Sequence, residues 1–161
     1  MITIGIITAS DRGARGERED LSGKVISETV KTIGANIIDY RVVSDNLEDL
    51  KEALLDMCQK DIDLILTTGG TGLSPRDNTP EATASVIEKE VPGIPEAMRQ
   101  KGLEKTPHAM ISRATAGIRG KTLIINLPGS PKAVRKNLEV ILPAIPHAIE
   151  VLKGRVTDCG G

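Results

Sequence analysis

The chain has almost no aromatic side chains. Its 161 residues include no Trp, no Phe and a single Tyr, Tyr40. The hydrophobic core must therefore consist of Ile, Leu, Val, Ala and Met, and few rings are present on which unpaired bases could stack. This scarcity argues against a protein that binds single-stranded nucleic acid.

The sequence also lacks an excess of charge of one sign. The 21 Lys and Arg residues are balanced by 22 Asp and Glu residues, which gives a formal net charge of -1 at pH 7. Broad binding to nucleic acid or to an anionic membrane surface would require a basic excess. We therefore expect neither nucleic acid nor a membrane among the partners.

Long apolar runs and patterned cysteines are missing as well. The apolar runs are far too short to span a bilayer, and residues 1–7 lack the features of a signal peptide. The two cysteines, Cys58 and Cys159, are not spaced as a disulfide framework or a metal site. These absences favour a reducing compartment, and we expect a cytoplasmic location.

Short apolar runs alternate with segments of helical periodicity. Strands are predicted over residues 2–8, 37–43, 64–66 and 122–126. The alternation predicts a three-layer, doubly wound α/β fold, with a mostly parallel sheet and helices on both faces. The chain length fits one domain, and we expect it to cover residues 1–153, followed by a short tail over 154–161.

Residues typical of helix ends flank the helical segments. Asp20, Asn46, Thr79 and Ser130 are the predicted N-caps, and prolines directly follow the last two. Residues 109–120 are interpreted as an edge hairpin.

Polar or glycine-rich segments follow four of the predicted strands. They are residues 10–13, 44–46, 67–80 and 126–131. The carboxyl ends of parallel strands meet at one edge of a sheet, and ligands of doubly wound proteins bind at that edge. We therefore expect a ligand site there.

The segment 67–80, here called the glycine loop, has a pattern suited to phosphate. Gly69, Gly70 and Gly72 carry no side chains, so backbone N–H groups can approach a phosphate closely. The spacing matches neither a Walker P-loop nor a dinucleotide fingerprint. A plain structural turn is the alternative interpretation.

Other groups of the glycine loop favour the phosphate interpretation. Thr68 and Thr71 supply hydroxyl groups, and the Arg76 guanidinium suits bidentate contact with phosphate. The helix predicted to begin at Thr79 directs its positive end toward the same region. Together these groups predict a phosphate-binding loop.

Two carboxylates adjoin this loop. Asp45 follows the second strand and Asp77 lies within the loop. Carboxylates repel phosphate unless a cation lies between them, and Mg²⁺ prefers one or two carboxylates together with phosphate oxygens. We therefore expect Asp45 and Asp77 to hold Mg²⁺. The alternative is that Asp45 supports the helix that Asn46 caps and that Asp77 shapes a turn.

Five segments match a family signature, namely residues 67–72, 76–82, 92–99, 112–114 and 123–131. Together they resemble the molybdopterin-binding domain family, which includes molybdopterin adenylyltransferases and the matching domain of gephyrin. The resemblance implies a homotrimer in which Mg²⁺-ATP adenylylates the phosphate of molybdopterin and pyrophosphate is released. It also implies a downstream partner enzyme that inserts molybdate.

The resemblance implies roles for single residues. Asp45 and Asp77 match the two catalytic acids of the family, which hold Mg²⁺ and orient the two phosphates. The residues expected to bind nucleotide or pterin are Ser10, Asp11, Thr68, Gly69, Gly70, Thr71, Gly72, Arg76, Thr79, Glu96, Ser112, Gly129 and Ser130.

One position departs from the family pattern. Asn78 stands where a small apolar residue is expected in the adenylyltransferases, and a sister branch with the same fold shares most of the loop. A non-catalytic protein that binds molybdopterin is therefore the main alternative to the enzyme. A hydrolase that acts on a pyrophosphate is the second alternative.

Overall fold

The fold is built around a six-stranded mixed sheet. A computed structural model describes residues 1–156. The strands are β1 (Thr3–Ala9), β2 (Asn36–Val43), β3 (Leu64–Thr68), β4 (Lys89–Glu90), β5 (Ala116–Arg119) and β6 (Thr122–Leu127). Their order is β2-β1-β3-β6-β5-β4. The neighbours from β2 to β6 are parallel, whereas β5 runs antiparallel to both β6 and β4.

Helices connect the strands. Across residues 1–156 they are α1 (Asp11–Ala14), α2 (Leu21–Val30), α3 (Leu47–Cys58), α4 (Thr79–Val86), α5 (Gly93–Leu103), α6 (Pro131–Ile141) and α7 (Ile145–Leu152). Short 3-10 helices cover Lys31–Ile33, Pro107–Ile111 and Leu142–Ala144. Within this described part of the chain, no helix combines the length and the apolar character that a membrane span requires.

Apolar side chains pack on both faces of the sheet. Leu64 and Leu66 of β3 belong to a cluster with residues of α2, α5, α6 and α7, whereas Ile65 between them packs with α3 and α4. Successive residues of a strand point to opposite faces, so this division places one helical layer on each side. The predicted three-layer α/β fold is confirmed.

Three of the four predicted caps are present. The Asp20 side chain accepts from the Gly23 N–H, that of Asn46 from the N–H groups of residues 48 and 49, and that of Ser130 from the Ala133 N–H. The prediction for Thr79 is wrong, because α4 begins at Thr79 itself and Asn78 occupies the cap position without a side-chain bond. The Thr79 N–H instead donates to the Gly70 carbonyl.

The predicted hairpin over residues 109–120 is also wrong. Part of that stretch is the 3-10 helix Pro107–Ile111, and the hairpin joins β5 to β6. Gly120 makes the turn with a φ of 59°, a left-handed conformation that suits a two-residue hairpin loop. The proposed division into a domain over 1–153 and a tail over 154–161 stays a prediction, since residues 157–161, which include Cys159, lie outside the described part.

A buried ion pair closes the amino edge of the sheet. Asp63 precedes β3, its side chain is 3% exposed, and its Oδ1 lies 2.7 Å from Nζ of Lys153 at the end of α7. The Thr3 N–H donates to the other carboxylate oxygen. Burial raises the pKa of Asp63, but the hydrogen bonds from Lys153 and Thr3 outweigh that effect and hold the pKa below its usual value. The pair therefore anchors α7 to the start of β1 and β3.

We expect Lys153→Met to lower the free energy of unfolding by about 3 kcal/mol, because it leaves a buried charge without its partner. Lys101→Met is the matched control, since the Lys101–Glu104 pair is exposed and should contribute at most about 1 kcal/mol. Urea denaturation at pH 7 measures both. Equal losses in the two variants would contradict the anchoring role of Lys153.

The same pair gives a pH dependence. A carboxyl whose pKa is lowered by folding stabilises the protein above its unfolded pKa and loses that contribution as pH falls through its folded pKa. The difference in stability between wild type and Lys153→Met should therefore be full near neutral pH. It should shrink in the acid range, as pH falls from the folded pKa of Asp63 in the variant, which is higher without Lys153, to the lower folded pKa in wild type.

Candidate functional site

Four loops meet at the carboxyl edge of the parallel strands. The chain passes from β1 outward to β2 and then returns to β3 on the other side of β1, so strand order reverses between β1 and β3. Side-chain contacts join the loops that follow β1, β2 and β3, and the glycine loop also contacts the loop after β6. This is the position at which doubly wound proteins bind ligands.

Asp11 and Asp45 are joined by a reciprocal pair of hydrogen bonds. The Asp11 N–H donates to Oδ2 of Asp45 at 2.9 Å, and the Asp45 N–H donates to Oδ1 of Asp11 at 2.9 Å. A hydrogen bond to a carboxylate is stronger than one between neutral groups. The ends of β1 and β2 are therefore fixed relative to each other.

Arg76 connects the glycine loop to this pair. Its Nη2 and Nε donate to the two carboxylate oxygens of Asp11 at 2.8 and 3.1 Å. The guanidinium lowers the pKa of Asp11 below its usual value. The side chain expected to contact a phosphate is thus bonded to an acid in this structure, while its Nη1 has no hydrogen bond to residues 1–156.

Asp45 lies in a negatively charged setting. Burial raises its pKa, and the charges of Asp11 and Asp77 raise it further, against the opposing effects of the Asp11 N–H and Arg76. One oxygen of Asp77 accepts from the Ser74 N–H at 3.0 Å. For Asp45 and Asp77 alike, Oδ1 accepts no hydrogen bond from the described residues.

These acids fit a cation that also binds the substrate. Across residues 1–156 no group of three or more His, Cys, Asp or Glu side chains is arranged to hold a metal. Mg²⁺ commonly takes one or two carboxylates and completes its shell with water and phosphate oxygens, and the free oxygens of Asp45 and Asp77 match that requirement.

The glycine loop depends on two glycines. Gly69 and Gly70 have φ values of 89° and 69°, in the left-handed region that side chains disfavour. A Cβ on Gly69 would lie 2.6 Å from the Ala9 carbonyl oxygen, and one on Gly70 would lie 2.3 Å from Oγ1 of Thr79. Only glycine lets the loop pass between the end of β1 and the start of α4.

The three threonines of the loop that are predicted to contact phosphate are buried. The Thr68 hydroxyl donates to the Pro128 carbonyl at 2.6 Å, which joins the glycine loop to the loop after β6. Thr71 and Thr79 are 7% and 1% exposed. Oγ1 of Thr79 has no hydrogen-bond partner among the described residues. Phosphate contact by these hydroxyl groups stays a prediction.

The predicted serines lie at helix or loop ends. Ser10 caps α1 by accepting from the Gly13 N–H at 3.0 Å, and Ser130 caps α6. Gly129 is exposed beside the glycine loop, and its carbonyl accepts from Ser22 of α2 at 2.5 Å. Ser112 is half-buried, and its neighbour Arg113 donates its N–H to Thr71.

Glu96 is the predicted residue that the structure links least to the site. It is exposed in the first turn of α5. Its side chain makes no hydrogen bond or ion pair with residues 1–156. Its predicted role is therefore supported by no contact within the described residues.

Sequence reasoning missed four residues that shape the site. Asn78 donates from Nδ2 to the Asp45 carbonyl at 2.9 Å, and Arg113 donates to the carbonyls of Gly72 and Asp77. Ser22 holds Gly129, as described above. The departure of Asn78 from the family pattern was the available signal for one of them, whereas the others form contacts between distant parts of the chain.

Asn126 is the fourth missed residue. It is fully buried at the end of β6, and its Nδ2 donates to the hydroxyls of Thr67 and Thr83 at 3.0 and 2.9 Å. Its Oδ1 accepts from the Thr115 N–H. A buried polar group is tolerated when its hydrogen bonds are satisfied. Asn126 thus fixes β3, β6 and α4 beneath the glycine loop.

Comparisons with known proteins show which family the chain belongs to. Residues 5–147 match the family model described as "Probable molybdopterin binding domain". The chain is 46% identical over 156 residues to a molybdopterin adenylyltransferase of Helicobacter pylori. The aligned region covers 95% of this chain and 89% of that protein. It is 44% identical to gephyrin of Dictyostelium discoideum, over 94% of this chain and 23% of that protein.

A solved structure has the same fold. The molybdopterin biosynthesis enzyme MoaB of Thermus thermophilus superposes with a TM-score of 0.90 at 48% identity, over 96% of this chain and 98% of that one. The match to the family model covers most of the chain, and the likeness to these proteins extends over nearly its full length. The chain therefore belongs to the molybdopterin-binding domain family.

Proposed function

We propose that the protein is a molybdopterin adenylyltransferase of molybdenum cofactor biosynthesis. It transfers AMP from ATP to the phosphate of molybdopterin and releases pyrophosphate. The observation that carries the proposal is the placement of two acids near the start of α4, with Asp77 inside the glycine loop and Asp45 bonded through its carbonyl to Asn78 of that loop. The similarity to an adenylyltransferase along nearly the whole chain supports it.

The chemistry is an in-line displacement at phosphorus. An oxygen of the pterin phosphate forms a bond to the α-phosphorus of ATP as the bond to the bridging oxygen breaks, and pyrophosphate leaves with that electron pair. Both reactants are anions, so positioning and charge neutralisation account for most of the catalysis. Mg²⁺, held by Asp45 and Asp77, would supply part of that neutralisation.

The chain's own groups have separate tasks. Backbone N–H groups of the glycine loop and the positive end of α4 bind phosphate. The Asp11–Arg76 pair fixes the glycine loop over the end of β1 and Asn78 fixes the loop of Asp45. This division leaves the two acids Asp45 and Asp77 with oxygens directed to no other described group.

We further propose that the protein forms a homotrimer in the cytoplasm and passes its product to an enzyme that inserts molybdate. An exposed apolar patch of Leu103, Met110 and Ile111, which are 46%, 64% and 49% exposed, would be covered in such an assembly.

Asp45→Asn and Asp77→Asn should each lower turnover at least about 100-fold, because each removes a charge that neutralises the reacting phosphates through the cation. Molybdopterin binding should persist. Incubation with molybdopterin and Mg²⁺-ATP, followed by mass spectrometry of the AMP-bearing pterin and assay of pyrophosphate, measures the change. Asp49→Asn is the matched control, since Asp49 is exposed and bonded to Ser44.

Other outcomes of that assay would favour the alternatives. Wild-type protein that binds molybdopterin without forming the adenylylated product would be a binding protein. Pyrophosphate or AMP formed from ATP without pterin would indicate a hydrolase. Equal activity of Asp77→Asn and wild type would contradict the catalytic role of Asp77.

Gly70→Ala should lower turnover about 100-fold, since the new Cβ collides with Thr79 and displaces the phosphate-binding loop. Gly34→Ala is the matched control. Gly34 has a nearly equal φ, 70° against 69°, but a Cβ there would meet no atom within 4 Å. It should therefore lose about 1–2 kcal/mol of stability with full activity. Similar activity losses in both variants would show that the collision is not the cause.

Sedimentation equilibrium should give a mass three times the 17.1 kDa of one chain. Replacement of Met110 and Ile111 by Ser should shift the protein toward the single chain if the apolar patch lies in the interface. A wild-type mass of one chain would contradict the trimer.

A further inference from the structure

Arg113 binds both ends of an exposed part of the glycine loop. We propose that Arg113, supported by Glu81, is a positioning residue that holds Asp77 in the geometry required for transfer. This inference rests on the proposed function, because it assigns Arg113 a task in that same reaction. Arg113 itself contacts no reacting atom in the proposal.

The contacts use all three nitrogens of the guanidinium. Nε donates to the Gly72 carbonyl at 2.7 Å and Nη2 donates to the Asp77 carbonyl at 2.8 Å. Nη1 donates to both carboxylate oxygens of Glu81, at 3.0 and 2.6 Å. One planar group therefore joins the start of the exposed stretch, its end and the first turn of α4.

The stretch between these two carbonyls has little other support. Residues 73–76 are all exposed. The Asp77 N–H donates to the Ser74 carbonyl, and the Ser74 N–H donates to the Asp77 carboxylate, so both bonds stay inside the loop. The outward bond from this stretch is the exposed Arg76–Asp11 pair. Arg113 thus joins the Asp77 backbone to α4 and to the base of the glycine loop, whereas Arg76 attaches the same stretch to the end of β1.

Arg113 is itself held firmly. Its N–H donates to the Thr71 carbonyl at 2.8 Å. Nη1 of Arg99, on α5, donates to the carbonyls of Ser112 and Ala114, the residues on either side. The orientation of the guanidinium is therefore transmitted from α5 and from the base of the glycine loop.

The arrangement requires arginine. Its planar fork presents donors in fixed directions, whereas the lysine ammonium is a compact charge on a flexible stem that cannot reach two carbonyls and a carboxylate in one plane. Glu81 balances the charge of Arg113 and, as an acid in the first turn of α4, is also favoured by the helix dipole. Arg113→Lys is therefore expected to fail as a replacement.

Arg113→Met and Arg113→Lys should lower kcat about 100-fold, the scale expected when a catalytic group moves by about 1 Å. The KM for molybdopterin should change less than about threefold, since uniform binding is not the property lost. Arg119→Met is the matched control, because Arg119 also donates to a backbone carbonyl, that of Val86, which lies at the end of α4 opposite the glycine loop. It should keep wild-type kcat.

A double-mutant cycle separates positioning from general stability. If Arg113 acts through Asp77, then Arg113→Met should lower kcat little further in a protein that already carries Asp77→Asn, because coupled residues are not additive. Glu81→Gln keeps the guanidinium and the fold and should give an intermediate loss of kcat. Hydrogen–deuterium exchange supplies a readout independent of activity, with faster exchange in residues 72–79 of the Arg113 variants and unchanged exchange there in Arg119→Met.

Wild type without transferase activity overturns the proposed function and, with it, the positioning role. If wild type is active, three results would overturn the role of Arg113 alone. They are a kcat of Arg113→Met within about threefold of wild type, fully additive losses of kcat with Asp77→Asn, and unchanged exchange in residues 72–79. If Arg113→Met does not fold, the same comparisons are made with Glu81→Gln. A kcat and an exchange rate equal to those of wild type in Glu81→Gln would also overturn the role of Arg113.

Discussion

The reciprocal hydrogen bonds between Asp11 and Asp45 are the contact on which the site depends. Two neighbouring carboxylates would repel each other. Here each accepts the backbone N–H of the other residue, and Arg76 adds a positive charge beside Asp11. The ends of β1 and β2 are thereby fixed, and both the glycine loop and Asn78 attach to that frame. The excess of negative charge that remains around Asp45 makes the frame a place for a cation and for the polyanion that accompanies it.

Much of this fold was readable from sequence, because its signals are local. Strand runs, the caps at Asp20, Asn46 and Ser130, and the glycines of the loop each depend on a few neighbouring residues. The wrong hairpin and the wrong cap at Thr79 both concern where an element begins or ends, which local sequence signals determine least precisely. The Thr79 N–H is taken by Gly70, and β5 pairs with the strand that follows it.

The residues that support the site could not be predicted from local sequence signals. Arg113 contacts Gly72 across 41 positions of the chain, and Asn126 contacts Thr67 across 59. No periodicity links such pairs. The residue types of the loops therefore predicted acids and glycines at one edge of the sheet. The groups that orient them became apparent only in the folded structure. The family resemblance assigned roles to more residues than the sequence pattern alone. One of them, Glu96, makes no contact with the loop in the described residues.

The ion pair of Asp63 and Lys153 has a consequence for how the chain is made. Strand β3 emerges from the ribosome long before α7, so a nascent chain shorter than 153 residues must either keep the Asp63 charge hydrated or bury it without its counter-ion. The sheet can begin to assemble during synthesis, but the ion pair at its amino edge forms only when α7 and Lys153 have been synthesised. Closure of the sheet at one edge therefore waits until Lys153 has been synthesised, while the opposite edge, where the acids and the glycine loop lie, is assembled from residues 10–130.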